Sequence, residues 1–153
     1  GLTITAENGV AGSTTSDLAE GSNLYFTDVR AVDALEAVVP NFTAVELNSV
    51  AKEVAATATI ATAGTATALS WAKADYKTAK ALVKFATATH SEVSEILLTL
   101  DSSDNVAITE YAEIGTNGAM GTVTATVVGG DVRINVTTLN NATTVIVKAT
   151  LLA

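Results

Sequence analysis

The chain has no cysteine, so disulfides and thiolate metal sites are excluded and the redox compartment stays undetermined. It has a single histidine, His90. A triad or a two-histidine metal site would therefore need help from another chain, and the plain reading of His90 is a strand-end surface residue. Aromatic residues make up only 5% of the sequence. The 48% hydrophobic content is drawn largely from Ala and Val, which suits thin sandwiches and close subunit contacts better than a large enzyme core. Basic residues are few: 8 Lys and Arg face 16 Asp and Glu, for a net charge of −8. That balance argues against nucleic acid or an anionic membrane surface as a partner. No apolar run approaches the length of a membrane span, so no insertion is expected. The chain opens without an initiator Met and without a basic, apolar leader, and is expected to be an excised or processed part of something longer.

What the sequence does have is alternation. Val123, Ala125 and Val127 interleave with Thr122, Thr124 and Thr126, and Val132, Ile134 and Val136 with Asp131, Arg133 and Asn135. Period two places one set on a buried face and the other in water. The same pattern runs through Ser91–Leu100, Val106–Ile114 and Thr143–Leu152, and through Ala79–His90, where Ala81, Val83 and Phe85 oppose Lys80, Leu82 and Lys84. Asn117-Gly118, Gly129-Gly130 and Asn140-Asn141 suit hairpin turns. The Ala/Thr run 55–68 reads as a strand with a turn or bulge at Gly64-Thr65, followed by a charged turn around 73–77. Counting from Thr57 gives a mainly β fold, an antiparallel β-sandwich of about seven or eight strands.

The first 56 residues read differently. Arg30 and Lys52 stand against eight acidic side chains there, leaving −6, whereas 57–153 carry −2. Residues 1–22 form a polar lead, a linker or an extended strand. A helix over 29–39 is expected, capped by Thr27 or Asp28 and stopped by Pro40. A second is expected over 44–56, with Leu47, Val50 and Val54 along one side. Val32 and Leu35 of the first helix, with those three, form narrow apolar stripes that need a partner surface. Either copies of the chain associate along them, a trimer being the economical arrangement, or the helices lie on the sheet domain. Residues 1–56 are thus expected to be a short helical or extended attachment and oligomerisation segment, and 57–153 the sandwich.

Catalytic and binding chemistry is sparse. Asp101, Asp104 and Asn105 offer oxygens to Ca²⁺ without EF-hand spacing, and a solvated hairpin loop accounts for them better. Glu92, Glu95, Glu110 and Glu113 suggest the paired carboxylates of glycoside hydrolysis, but each pair has opposite parity and should split across the two faces. Gly118–Gly121 lacks the Lys and helix of a phosphate loop. Asn41, Asn135 and Asn141 open formal glycosylation sequons that a Thr-rich chain produces by chance. Trp71, Tyr76 and Tyr111 can stack on a sugar ring, although a lone Trp in a small sandwich is more often core. No cofactor is implied.

Two stretches carry a resemblance. TTSDLAEGSNLYFTDVRA (14–31) resembles a phrase that recurs in structural proteins of marine tailed phages, near or along a fibre stalk. Residues 71–153, with ADYKTAKALVKF, the Thr-Glu-Tyr phrase at 109–111 and Gly-Thr and Gly-Gly turns, resemble a β-sandwich module of phage fibre, neck and other virion proteins. The resemblance implies a virion structural protein: fibre, appendage or surface decoration. It would be located on the extracellular particle, would self-assemble with other virion proteins, and would display a sandwich able to meet a host-surface glycan. With no visible catalytic motif, a non-enzymatic protein is expected. A secreted bacterial adhesin, surface-layer or carbohydrate-binding module shares the composition and remains the alternative.

Overall fold

The computed structural model describes residues 28–36 and 41–153. Helix α1 spans Asp28–Glu36, and positions 37–39 of the expected helix lie outside the described residues. Asp28 in its first turn complements the positive end of the helix dipole. Val29 and Val32 are exposed on it. Thr27, Pro40, the polar lead and the side chain of Leu35 lie outside the described residues.

The second helix does not form. In its place β1 (Ala44–Leu47) and β2 (Ala51–Ile60) make an antiparallel hairpin, Leu47 opposite Ala51 and Ala44 opposite Val54. Asn48 and Ser49 take positive φ, 51° and 56°, at the centre of a tight turn in which the Val50 N–H donates to the Leu47 carbonyl at 3.1 Å. The helical spacing of Leu47, Val50 and Val54 was outweighed by pairing: β2 hydrogen-bonds along its whole length to β9 (Thr143–Leu152), from Ala51–Leu152 to Ile60–Thr143. Strand β2 crosses residues 56 and 57 without interruption, and the compact unit runs from Phe42 to Ala153.

Within that unit the chain is mainly β, in two antiparallel sheets. After β3 (Thr65–Ala72) come β4 (Thr78–Ala86), β5 (Ser91–Leu100), β6 (Val106–Gly115), β7 (Gly121–Val128) and β8 (Asp131–Thr138). The six-stranded sheet has the order β1-β2-β9-β4-β5-β6 and the three-stranded sheet β3-β8-β7. The described residues hold nine strands, one or two more than expected, because the hairpin takes the place of the helix. The last third is not one hairpin after another. Strands β5–β6 and β7–β8 are hairpins, but the chain changes sheet after β6 and again after β8. Asn117-Gly118 and Asn140-Asn141 therefore sit in inter-sheet connections. Gly129-Gly130 is a true hairpin turn, with φ of 62° and 94°.

The inner faces of the sheets meet over one core. Phe85, Ile96, Ile134, Val147 and Leu151 are nearly inaccessible. The expected parity holds on β4, β8 and β9: Val132, Ile134, Val136, Val145 and Val147 are buried. Val123 and Val127, on edge strand β7, are half-buried against the core, with Thr124 and Thr126 outside. Trp71 and Tyr76 are core residues, and the Trp71 indole N–H donates to the Tyr76 carbonyl at 2.9 Å. The Tyr76 hydroxyl meets Glu46 on β1, tying the hairpin to the body of the sandwich. Gly121 packs against the Phe85 ring and the Thr137 carbonyl so closely that a Cβ would overlap both.

Candidate functional site

Three strands of the second sheet cover the inner face of a six-stranded one, whose outer face is open. On β4 and β5 the residues of outward parity are Lys80, Leu82 and Lys84, then Val93, Glu95, Leu97 and Thr99. On β9 they include Ile146 and Lys148. Leu82, Leu97 and Ile146 are 47%, 44% and 41% exposed, so this face is apolar yet solvated, the arrangement that marks interaction surfaces.

A defect in the ladder shapes it further. Glu95 pairs with Ala112 but the next residue, Ile96, pairs with Glu110, leaving Tyr111 as the extra residue of a β-bulge. The bulge has two effects. It turns Tyr111 to the outer face, half exposed, where its hydroxyl joins Glu95 and Lys80. Lys80 and Glu95 form an ion pair. Hydrogen bonding from Lys80 and then Tyr111 holds the Glu95 carboxyl below its ordinary range, and the bond to Glu95 raises the Lys80 ammonium. Burial raises the Tyr111 phenol, and its bond to Glu95 adds to that.

The second effect overturns the split expected for Glu110 and Glu113, whereas that of Glu92 and Glu95 holds. The bulge puts Glu110 and Glu113 on the same face as Glu92, opposite Ile96 and Ser94, and leaves Glu95 alone on the other. Bulges are not visible in alternation, so counting residues could not find this. Glu92 is only 2% exposed and accepts the Met120 backbone N–H, holding the connection into β7. Burial raises its carboxyl and Glu113 and Glu110 add to the shift, against the Met120 bond. Ser94 Oγ, buried beside it, makes no hydrogen bond within the described residues.

The outer face is grooved on either side of Tyr111, which itself lines none of the depressions. A depression of about 360 Å³ is walled by Leu97, Thr99, Ala107, Ile108 and Thr109. Beyond the Lys80–Glu95–Tyr111 cluster, one of about 220 Å³ lies among Leu82, Val93, Glu95, Ala112 and Ile114. It shares Val93 and Ile114 with a third of about 490 Å³, bounded by Lys84, Ser91, Glu92 and Thr116. The three string along the β5–β6 pair, with a hydrogen-bonding cluster and an aromatic ring at the middle. Such a strip can hold an extended ligand with both apolar ring faces and hydroxyls.

The remaining sequence candidates fall elsewhere. Of the three aromatic residues, Tyr111 alone is open to a ligand. Asp101 accepts N–H groups of Ser103 and Asn105 at 2.8 and 2.9 Å and the Asn105 side-chain amide at 2.7 Å, which lowers its carboxyl, while Asp104 pairs with Lys73. These carboxylates organise the β5–β6 loop. His90 is exposed in the β4–β5 turn, its N–H donating to Thr87 Oγ1 at 3.2 Å. Leu47 and Val50 are exposed at the β1–β2 turn, and Val54 packs inward on the core, so these three share no stripe. No helix among the described residues is long and apolar enough to cross a membrane.

No protein-family model matches the chain, and no curated protein does. Among solved structures, it is similar to the tailspike protein of Acinetobacter baumannii phage AM24, at 12% identity and a TM-score of 0.41, over 70% of this chain and 27% of that one. It is also similar to tailspike gp49 of Acinetobacter baumannii bacteriophage Fri1, at 17% identity and a TM-score of 0.46, over 81% of this chain and 21% of that one. The chain thus spans about a quarter of the length of each. The Fri1 protein is described as a capsular polysaccharide depolymerase. That description corrects the expectation of a non-enzymatic protein, which rested only on the lack of a recognisable motif.

Proposed function

We propose that this chain is a β-sandwich module of a phage tail-associated virion protein that meets a host-surface glycan on the outer face of its six-stranded sheet. The observation that carries the glycan reading is the exposed Tyr111 ring beside the hydrogen-bonded Lys80–Glu95 pair, between depressions along β5 and β6. A sugar offers an apolar ring face to the tyrosine and hydroxyls to the charged pair. The virion reading is supported by the phrases at 14–31 and 71–153. Self-assembly is assigned to the apolar side chains left in water, Val32 on α1 and Leu47 and Val50 at the hairpin turn.

The test is binding of the purified chain to a panel of immobilised bacterial surface polysaccharides, comparing wild type with Tyr111→Ala. We expect at least one polysaccharide to bind, and the variant to weaken it about tenfold, equivalent to about 1.4 kcal/mol. Binding untouched by Tyr111→Ala would move the site away from this face, and no binding across the panel would sink the glycan reading. The same samples, sized after long incubation, show whether the bound chain shortens the polymer.

A further inference from the structure

The charges of the outer face are unevenly matched. Lys148 and Glu53 pair at 2.8 Å, and Lys80 pairs with Glu95. Lys84 has outward parity on the same face and makes no ion pair among the described residues. It lines the largest of the three depressions, with Ser91, Glu92 and Thr116. Glu92 also lines that depression and Glu113 the adjoining one, but the Glu92 carboxyl is turned inward onto the Met120 N–H and Glu113 has the same inward parity, while Glu95, on the outer face, is held by Lys80. Lys84 is therefore, among the described residues, the cation of these depressions that no ion pair holds, in a chain of net charge −8.

We propose that the groove selects acidic glycans, a sugar carboxylate meeting Lys84 while a ring further along the same chain lies on Tyr111. This rests on the glycan reading above and adds the chemistry of the ligand. Lys84 lies opposite Val93, and Val93 opposite Ile114, whereas Tyr111 flanks the row of Leu82, Glu95 and Ala112. The two anchors are thus offset by about 7 Å along the strands and two strand spacings, about 10 Å, across them. One sugar cannot reach both, so the ligand is an oligosaccharide. The carboxylate spacing along it, rather than the identity of one residue, decides the fit. An exposed ammonium contributes modestly and is screened by salt, so it sets preference and the tyrosine supplies the common affinity.

The experiment compares alginate oligosaccharides, which carry a carboxylate on every unit, with neutral dextran oligosaccharides of matched length. Wild type is expected to favour alginate by about fivefold at low salt, with the preference collapsing towards about 0.5 M salt. Lys84→Gln should abolish the preference, bringing alginate binding down to the level of dextran, while Tyr111→Ala should weaken both. If Lys84→Gln keeps the preference, or dextran binds as well as alginate, acidic selection is overturned and the glycan reading stands. If neither sugar binds, both fall. If Leu82→Asp lowers the mass of the protein in solution, the face is covered by a second copy, and the inference is overturned in favour of an interface between copies.

Discussion

Glu92 shows how far one residue departs from its pattern. It holds a core-facing position on β5 where an apolar side chain belongs, and it is kept there by the N–H it accepts from Met120. Its carboxyl is pushed above the ordinary 4.5, first by burial and then by Glu113 and Glu110. For an acid with a raised folded-state pKa, the folded protein binds its proton more tightly than the unfolded chain does. That contribution is fully present below about 4.5 and is lost as pH rises through the raised value. Glu53, Glu95 and Asp101 are shifted downward and act in the opposite sense, so the wild-type profile alone mixes the two. Glu92→Gln keeps an acceptor for Met120 and removes the titration. The melting temperature of the variant should therefore gain on wild type as pH is raised from about 4 to about 7. A constant difference across that range would show that Glu92 does not titrate there.

At the scale of elements, the β1–β2 hairpin is the informative piece. Its sequence satisfies a helical template as well as a strand template, and short apolar runs are ambiguous in this way. Pairing with β9 decides the matter, because β2 then fills a place in the sheet with its inward Ala58 and Val54 against the core. The turn bears a strain that the sequence could relieve: Ser49, with a side chain, holds φ of 56°. Ser49→Gly should stabilise the fold by about 1 kcal/mol, since an L-residue in the left-handed region costs about that much and glycine does not. A rise in the urea midpoint at constant m-value checks it. A falling midpoint would mean that the Ser side chain holds the turn in a way its φ does not reveal. The β6 bulge belongs to the same scale, since one extra residue both exposes Tyr111 and gathers three glutamates on one face.

At the scale of the whole molecule, two exposed features bear on assembly. Leu47 and Val50 are 54% and 56% exposed beside each other at the hairpin turn, and edge strand β6 is exposed along most of its length. Edge strands of this kind invite pairing with another chain unless something covers them. Leu47→Asp together with Val50→Asp leaves the ladder intact and should reduce the mass measured by light scattering to that of the single chain. An unchanged mass, with a normal melting curve, would remove the hairpin turn from the assembly surface. Deleting residues 1–56 is a poor test, because it would take away β1 and more than half of β2.

Period two needs no knowledge of the fold, because alternate side chains of any strand leave opposite sides of the backbone. That is why the mainly β class, the inward set Ala81, Val83 and Phe85, and the valines of β8 and β9 were legible from the sequence alone. Turn glycines were legible for the same local reason, as at Gly129-Gly130. What local pattern does not contain is partnership. Which sheet β7 and β9 join, whether 44–56 coils or pairs, and where a ladder slips by one residue all depend on strands distant in sequence. The candidate site depends on those choices. Tyr111 faces solvent beside Lys80 because β6 bulges against β5, and Lys84 has no ion pair among the described residues because Glu92 and Glu113 have inward parity and Glu95 is held by Lys80. The sequence determined which residues can be core; only the tertiary structure decided which face was left open, and with what chemistry.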